Sequence, residues 1–291
     1  MLGLLRFAGI RAEPLMPGAV LLTRGRPPRV PVRSHSGVLL VRPGRARREW
    51  FGLERLFAQH HVTEHVAAIL RLYQVNCVLD VGANRGQYAK SLRRAGYRGW
   101  IHSFEPVPRV FAALADAAAA DPRWEVHRMA LGRDDGELEM NVVQGTMSSF
   151  LPSTDFGAAR YSRLQDSVAQ KADVRRLDGL LDSLLAGIED PRPYLKMDTQ
   201  GFDLEAFAGL GRRSADFVGM QSEVAMVTIY DGMPRLPESL AAYEQAGFEV
   251  TAFYPVSRDT PTARVLEFDA VMVRPEALLA SWSCGAVRRG S

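Results

Sequence analysis

The sequence predicts an α/β protein built on a doubly wound, mostly parallel seven-stranded sheet with a terminal antiparallel strand. Three observations carry this reading. The chain has 291 residues, 47% of them apolar and 24% charged, enough for a sizeable core. From residue 76 onward, short apolar runs alternate with helix-length segments. The last two strand-like runs have no helix between them, so they pair antiparallel.

The elements read as follows. "WFGLERLFAQHHVTEHVAAILRLY" (50–73) is one amphipathic helix, with Leu53, Leu56, Phe57, Ile69 and Leu72 near helical spacing. "NCVLDVG" (76–82) is a buried strand, and "NRGQYAKSLRRAG" (84–96) a helix closed by Gly96. "GWIHSFEP" (99–106) is a strand stopped by proline, followed by a helix at 110–120 and a strand at 124–131. Residues 135–143 alternate like a strand in a hairpin-like excursion. Residues 144–172 are polar and aperiodic, which predicts a long insertion or lid. A short strand and helix at 173–185 lead to the buried strand 193–198, a helix at 202–210 and a strand at 215–224. A helix at 236–248 precedes the final strands, 249–256 and 263–275.

Charge divides the chain. Residues 1–50 carry ten arginines against Glu13 and Glu49, a net +8; the remaining 241 residues hold 26 basic and 31 acidic side chains, −5. Residues 1–49 therefore read as a basic leader without fixed structure, 50–75 as a packing helix, 76–275 as the main domain and 276–291 as a tail. The leader allows weak contact with an anionic membrane surface. The acidic body gives no reason to expect nucleic acid as a partner. No apolar run approaches the roughly 18 residues of a membrane span. Cys77 and Cys284 stand far apart with no ligand-spaced Cys or His near them. That predicts a reduced, cytoplasmic protein with no zinc site or disulfide.

Ligands of such sheets bind beyond the carboxyl ends of the strands. The first strand ends in "DVGANRG" (80–86), with Gly82 and Gly86 spaced G-x-x-x-G. A dinucleotide fingerprint needs a third glycine where Asn84 stands, which argues against a nicotinamide oxidoreductase. The loop suits a nucleoside ligand without phosphates. Asp80 can face a cationic amino group, and Gly82 keeps side chains away from the ligand. Gly86 allows tight entry to the helix, and Ala83, Asn84 and Tyr88 complete the wall. Glu105 ends the second strand, where a carboxylate can accept two ribose hydroxyls, and Pro106 fixes the chain after it. Ala130 and Leu131 can flank a base.

"VLDVGANRGQYA", "FEPVP", "ALG", "SSF", "LKMDTQGFD", "SEV" and "GF" follow in order. Together they resemble the FkbM-type family of class I, S-adenosylmethionine-dependent methyltransferases, across 76–275. The resemblance implies S-adenosyl-L-methionine as cofactor. It also implies O-methylation of a hydroxyl on a small molecule, glycan or glycolipid, in particular a sugar, a glycolipid or a polyketide-type metabolite. Members commonly carry Glu, and also Gln, where Gln200 stands, and commonly Glu where Asp203 stands.

An alcohol is a poor nucleophile, so a base near the transferred methyl is expected. Asp198 ends the fourth strand and is the first candidate, as base or acceptor-orienting group. Two other roles are compatible with the sequence: holding a divalent cation with Asp203 or Glu223, and capping the next helix. Lys196 shares its face and can keep it ionised. Glu223 is the second carboxylate. Ser148, Ser149, Tyr230 and Asp231 are candidate acceptor contacts. No metal ligand set is assigned. His102 and His127 lie within buried strands and read as packing residues. "HVTEH" (61–65) matches an inverted zinc-protease motif, but a five-residue match on a packing helix carries little weight. A methyltransferase fold acting only as a binding module is the non-enzymatic alternative.

Overall fold

Five residues in a row with no access to water require cover on both faces, and Cys77–Val81 is such a strand. The computed structural model describes residues 10–16, 19–24 and 47–278. In chain order the elements are β1 (Ile10–Met16), β2 (Ala19–Arg24), α1 (Arg47–Leu72), β3 (Cys77–Val81), α2 (Gln87–Arg94), β4 (Trp100–Phe104), α3 (Pro108–Ala118), β5 (Trp124–His127) and β6 (Ala130–Leu131). Then come β7 (Gly136–Val142), α4 (Asp155–Arg160), β8 (Val168–Arg175), α5 (Leu177–Leu184), β9 (Pro193–Met197), α6 (Asp203–Ala208), β10 (Gly219–Ala225), α7 (Leu236–Gln245), β11 (Glu249–Arg258) and β12 (Val265–Val273).

The main sheet has seven strands in the order β11-β12-β10-β9-β3-β4-β5. β12 runs antiparallel to both β10 and β11, and the other neighbours are parallel. The sheet order reverses between β3 and β9, so their carboxyl ends diverge around a crevice. One face is covered by α5, α6 and α7, through Leu177, Leu181, Ala206 and Tyr243. The other is covered by α1, α2 and α3, through Val66, Ile69, Leu92 and Leu114.

Four expectations need correction. Residues 124–131 do not form one strand. The chain bends at Arg128–Met129, and β6 leaves the main sheet to pair with β8 in a smaller sheet ordered β6-β8-β7. The "lid" of 144–172 has structure of its own. Thr154 caps α4 by accepting from the Gly157 N–H, and Met147 and Leu164 pack with Ile229, Tyr230 and Met233. The buried stripe of α1 is Ala58, Val62, Val66, Ile69, Leu70 and on to Tyr73, whereas Leu72 faces outward. Within the basic leader, β1 and β2 pair antiparallel, although an isolated two-stranded ribbon is only marginally stable in water.

Leu181 is fully buried in the larger cluster. Leu181→Ala should lower unfolding free energy by about 2–5 kcal/mol, cavity cost included. A urea titration checks this: the midpoint should fall with an unchanged slope.

Candidate active site

The loop after β3 is shaped by backbone that only glycine tolerates well. Gly82 and Gly86 sit at φ 75° and 76°, and Asn84 at 48°. The N–H groups of Gly82 and Ala83 both donate to the Phe104 carbonyl, at 3.1 and 2.9 Å. A Cβ on Gly82 would lie 2.0 Å from the Asp198 carbonyl oxygen. Asp198 N–H in turn donates to the Val81 carbonyl at 3.1 Å. The loop and the end of β9 are therefore laced main chain to main chain. Gly86 acts differently: a Cβ there would meet the Trp124 ring at 2.6 Å, so it serves helix entry and packing below the cleft.

A cleft of about 360 Å³ opens at this point. Gly82, Ala83, Asn84 and Tyr88 line it on one side, and Glu105, Pro106, Ala130 and Leu131 on the next. Glu105 is almost wholly buried. Its Oε1 accepts the Val107 N–H and its Oε2 the Asn84 N–H, each at 3.0 Å. Burial pushes its pKa up to about 7, against the pull of those two amides.

Asp80 corrects the reading from sequence. It is fully buried and is not among the residues lining the cleft. Its Oδ1 lies 3.2 Å from Lys196 Nζ, and its Oδ2 accepts from the Ser103 hydroxyl at 3.3 Å. Lys196 Nζ also lies 3.6 Å from Asp198 Oδ2 and 5.4 Å from the Tyr88 ring centre. Burial works against the ammonium charge, but Asp80 and Asp198 outweigh it and hold the Lys196 pKa above the ordinary lysine range. Asp80 is thus a buried counter-ion.

Asp198 lines the cleft with its side chain 41% exposed. Gln200 Nε2 donates to Asp198 Oδ1 at 3.0 Å and to Glu223 Oε2 at 3.1 Å. Tyr230 Oη lies 3.2 Å from Gln200 Oε1 and 2.9 Å from the Met147 carbonyl. The Ser149 hydroxyl donates to the Gln200 carbonyl at 2.7 Å. These partners hold Gln200 at φ 56°, a conformation that a non-glycine residue adopts at a cost. The amide group therefore sits between two carboxylates and presents hydrogen-bond donors to both.

Asp203, the other expected carboxylate, is turned away. Its Oδ1 accepts the Thr199 N–H at 2.7 Å and its Oδ2 the Ser222 hydroxyl at 3.0 Å. Tying the turn together therefore falls to Asp203, and Asp198 takes its hydrogen bond from the Gln200 side chain. This removes two of the roles open from sequence: Asp203 as a cation ligand beside Asp198, and Asp198 as the local cap. Of the four candidate acceptor contacts, Ser148 lines the cleft. Tyr230 and Ser149 are buried behind it, holding Gln200. Asp231 is exposed and outside the cleft, with its N–H on the Pro152 carbonyl.

Several cleft residues escaped the sequence reading. Gln221 and Asp269 both line it, joined by a 2.9 Å hydrogen bond from Gln221 Nε2 to Asp269 Oδ1. Gln221 lies two residues before Glu223 on the same strand face, a signal that was available. Asp269 is brought opposite Glu223 only by the β10–β12 register. Burial and nearby carboxylates push Glu223 well above the ordinary range, and burial raises Asp269 to about 6. Arg55, Gln59, Val62 and Thr63 of α1 close another wall. In the His61–Glu64–His65 motif, His61 and Glu64 are exposed and His65 Nδ1 lies 3.0 Å from Tyr254 Oη.

A nucleoside-sized cleft at the switch point of a doubly wound sheet defines a Rossmann-like, ligand-binding α/β protein. The chain belongs to the FkbM methyltransferase family: the model for the "Methyltransferase FkbM domain" matches residues 80–250. No curated protein sequence matches it. Similar solved structures include magnesium protoporphyrin IX methyltransferase from Synechocystis PCC 6803 with bound SAM. It is 11% identical, with 75% of this chain and 80% of that one covered and a TM-score of 0.41. The O-methyltransferase NcsB1 of neocarzinostatin biosynthesis is 16% identical, with 78% and 58% covered and a TM-score of 0.37. Fibrillarin from Aeropyrum pernix is 12% identical, with 68% and 66% covered and a TM-score of 0.36. The chain thus spans less than two thirds of the latter two.

Two predictions follow from this geometry. Gly82→Ala should separate the β3 loop from β9, visible as a lower melting temperature and loss of ligand-induced stabilisation. If Glu105 receives the ribose hydroxyls, which a carboxylate does best when ionised, affinity for a ribose-bearing ligand should fall as pH drops through about 7. Calorimetric titration across pH 5.5–8.5 checks this, and Glu105→Gln should bind weakly with that pH dependence flattened.

Proposed function

We propose that this protein is an S-adenosyl-L-methionine-dependent O-methyltransferase acting on a hydroxyl of a sugar, glycolipid or polyketide-type metabolite. The observation that carries the reading is Asp198: a partly exposed carboxylate at the β9 end, its main chain against Gly82 and its side chain in the cleft. The cleft also fits the cofactor. Glu105 keeps lone pairs free beside its two amide contacts, as ribose hydroxyls need, and no phosphate-binding glycine triplet is present.

Bound in the cleft, the cofactor supplies a methyl group on a sulfonium, which leaves as a neutral thioether. The protein's share is placement and proton handling. Glu105 and the Gly82–Asn84 backbone hold the nucleoside, and Asp198 receives the proton of the acceptor hydroxyl. Lys196 Nζ stands 3.6 Å from Asp198 Oδ2, and the Gln200 amide fixes the carboxylate in direction. Much of the acceleration comes from holding oxygen and methyl carbon in line. The base adds roughly 10²–10⁴-fold.

A cation bridging Asp198 and Glu223 is disfavoured by the Gln200 amide, whose N–H groups occupy the approach to both carboxylates. Asp198→Asn should therefore bind S-adenosylhomocysteine normally and lose roughly two to four orders of magnitude in turnover. Turnover is measured with labelled cofactor and an acceptor captured from cell extract. EDTA should leave the rate unchanged. Normal turnover by the Asn variant would remove Asp198 as base, and failure of any S-adenosyl compound to stabilise the wild type would remove the whole reading.

A further inference from the structure

We propose that His102, Glu125 and His127 form a binding site for a divalent transition metal of the zinc type, outside the cleft. His102 lies on β4, and Glu125 and His127 lie on β5, the edge strand of the main sheet. The β4–β5 register sets His102 opposite Glu125. Glu125 and His127 are two residues apart and so share a face. His102 Nδ1 lies 3.3 Å from His127 Nε2 and 3.6 Å from Glu125 Oε2. Among the described residues, this is the group of His, Cys, Asp and Glu side chains whose ligand atoms converge closely enough to hold an ion.

The distances suit a tetrahedral ion. Nitrogen and oxygen ligands about 2.0–2.1 Å from zinc stand about 3.3–3.4 Å from one another. Two imidazoles and one carboxylate leave the fourth position for water. The rings are held in place by stacking: Trp100 on His102 (6.5 Å between centroids), His102 on His127 (5.5 Å) and His127 on Phe104 (4.8 Å). Glu125, with its side chain 54% exposed, gives an ion a route in.

Such an ion would fasten the edge strand to its neighbour. It would also sit beside the cofactor wall, because the Glu105 N–H donates to the His127 carbonyl at 3.1 Å. The signal was hidden in sequence because the ligands come from two strands and lack the close spacing that marks zinc motifs.

The test uses the full, untagged chain, stripped with chelator and dialysed. Calorimetric titration with zinc chloride should give one equivalent bound, and cobalt(II) should give the intense visible bands of a tetrahedral site. Zinc should also raise the melting temperature. His127→Phe keeps the ring stack and Glu125→Gln keeps the size. Both should fold normally by circular dichroism and bind zinc at least tenfold more weakly, while His61→Ala should bind like wild type. No zinc binding by the wild type overturns the proposal. So does binding that is unchanged in both ligand variants, or that is lost in His61→Ala.

Discussion

A single buried ammonium joins the two strands on which the cleft depends. Lys196 lies between Asp80 on β3 and Asp198 at the end of β9. Removing one partner of a buried ion pair leaves an uncompensated charge and costs about 3–5 kcal/mol. The ion triad therefore ties the two strands together at the switch point, beside the carboxylate that faces the cleft. The rest follows from that placement. Gly82 must be glycine because the Asp198 carbonyl is so near, and Gln200 must turn back because Asp198 offers it an acceptor.

The acidic residues behind the cleft do not act alike. Glu223, Glu267 and Asp269 are pushed upward, foremost by burial. Asp203 is raised to about 6 but satisfied by Thr199 and Ser222. Asp198 differs in having a partly exposed side chain and a cation beside it. That contrast sets it apart from its neighbours: Asp203 clamps the turn, whereas Glu223, Glu267 and Asp269 are raised by burial.

The main sheet was legible because buried strands of four to seven residues alternate with helices of clear period, and because no helix lies between β11 and β12. Glycine spacing and strand ends located the cleft. Three things were not legible. Burial direction within a strand end is one, so Asp80 read as facing a ligand when it faces Lys196. The small sheet is another, since β6 and β7 find their partner β8 only after the aperiodic stretch that holds α4. Cross-strand neighbours are the third. Asp269 meets Glu223, and His102 meets Glu125, through register alone. Ser149 and Tyr230, read from sequence as acceptor contacts, hydrogen-bond Gln200 and are not among the residues lining the cleft.

The α1 wall has a consequence for what counts as the unit of this protein. Gln59, Val62 and Thr63 precede the segment matched by the family, and Pro255, Val256 and Asp269 follow it, yet all six border the cleft. Residues 80–250 taken alone would retain the loop that holds a nucleoside but would lack one flank of the chamber and the strand that carries Asp269. Recognition of the second substrate can thus diverge through flanking sequence while the shared segment stays unchanged.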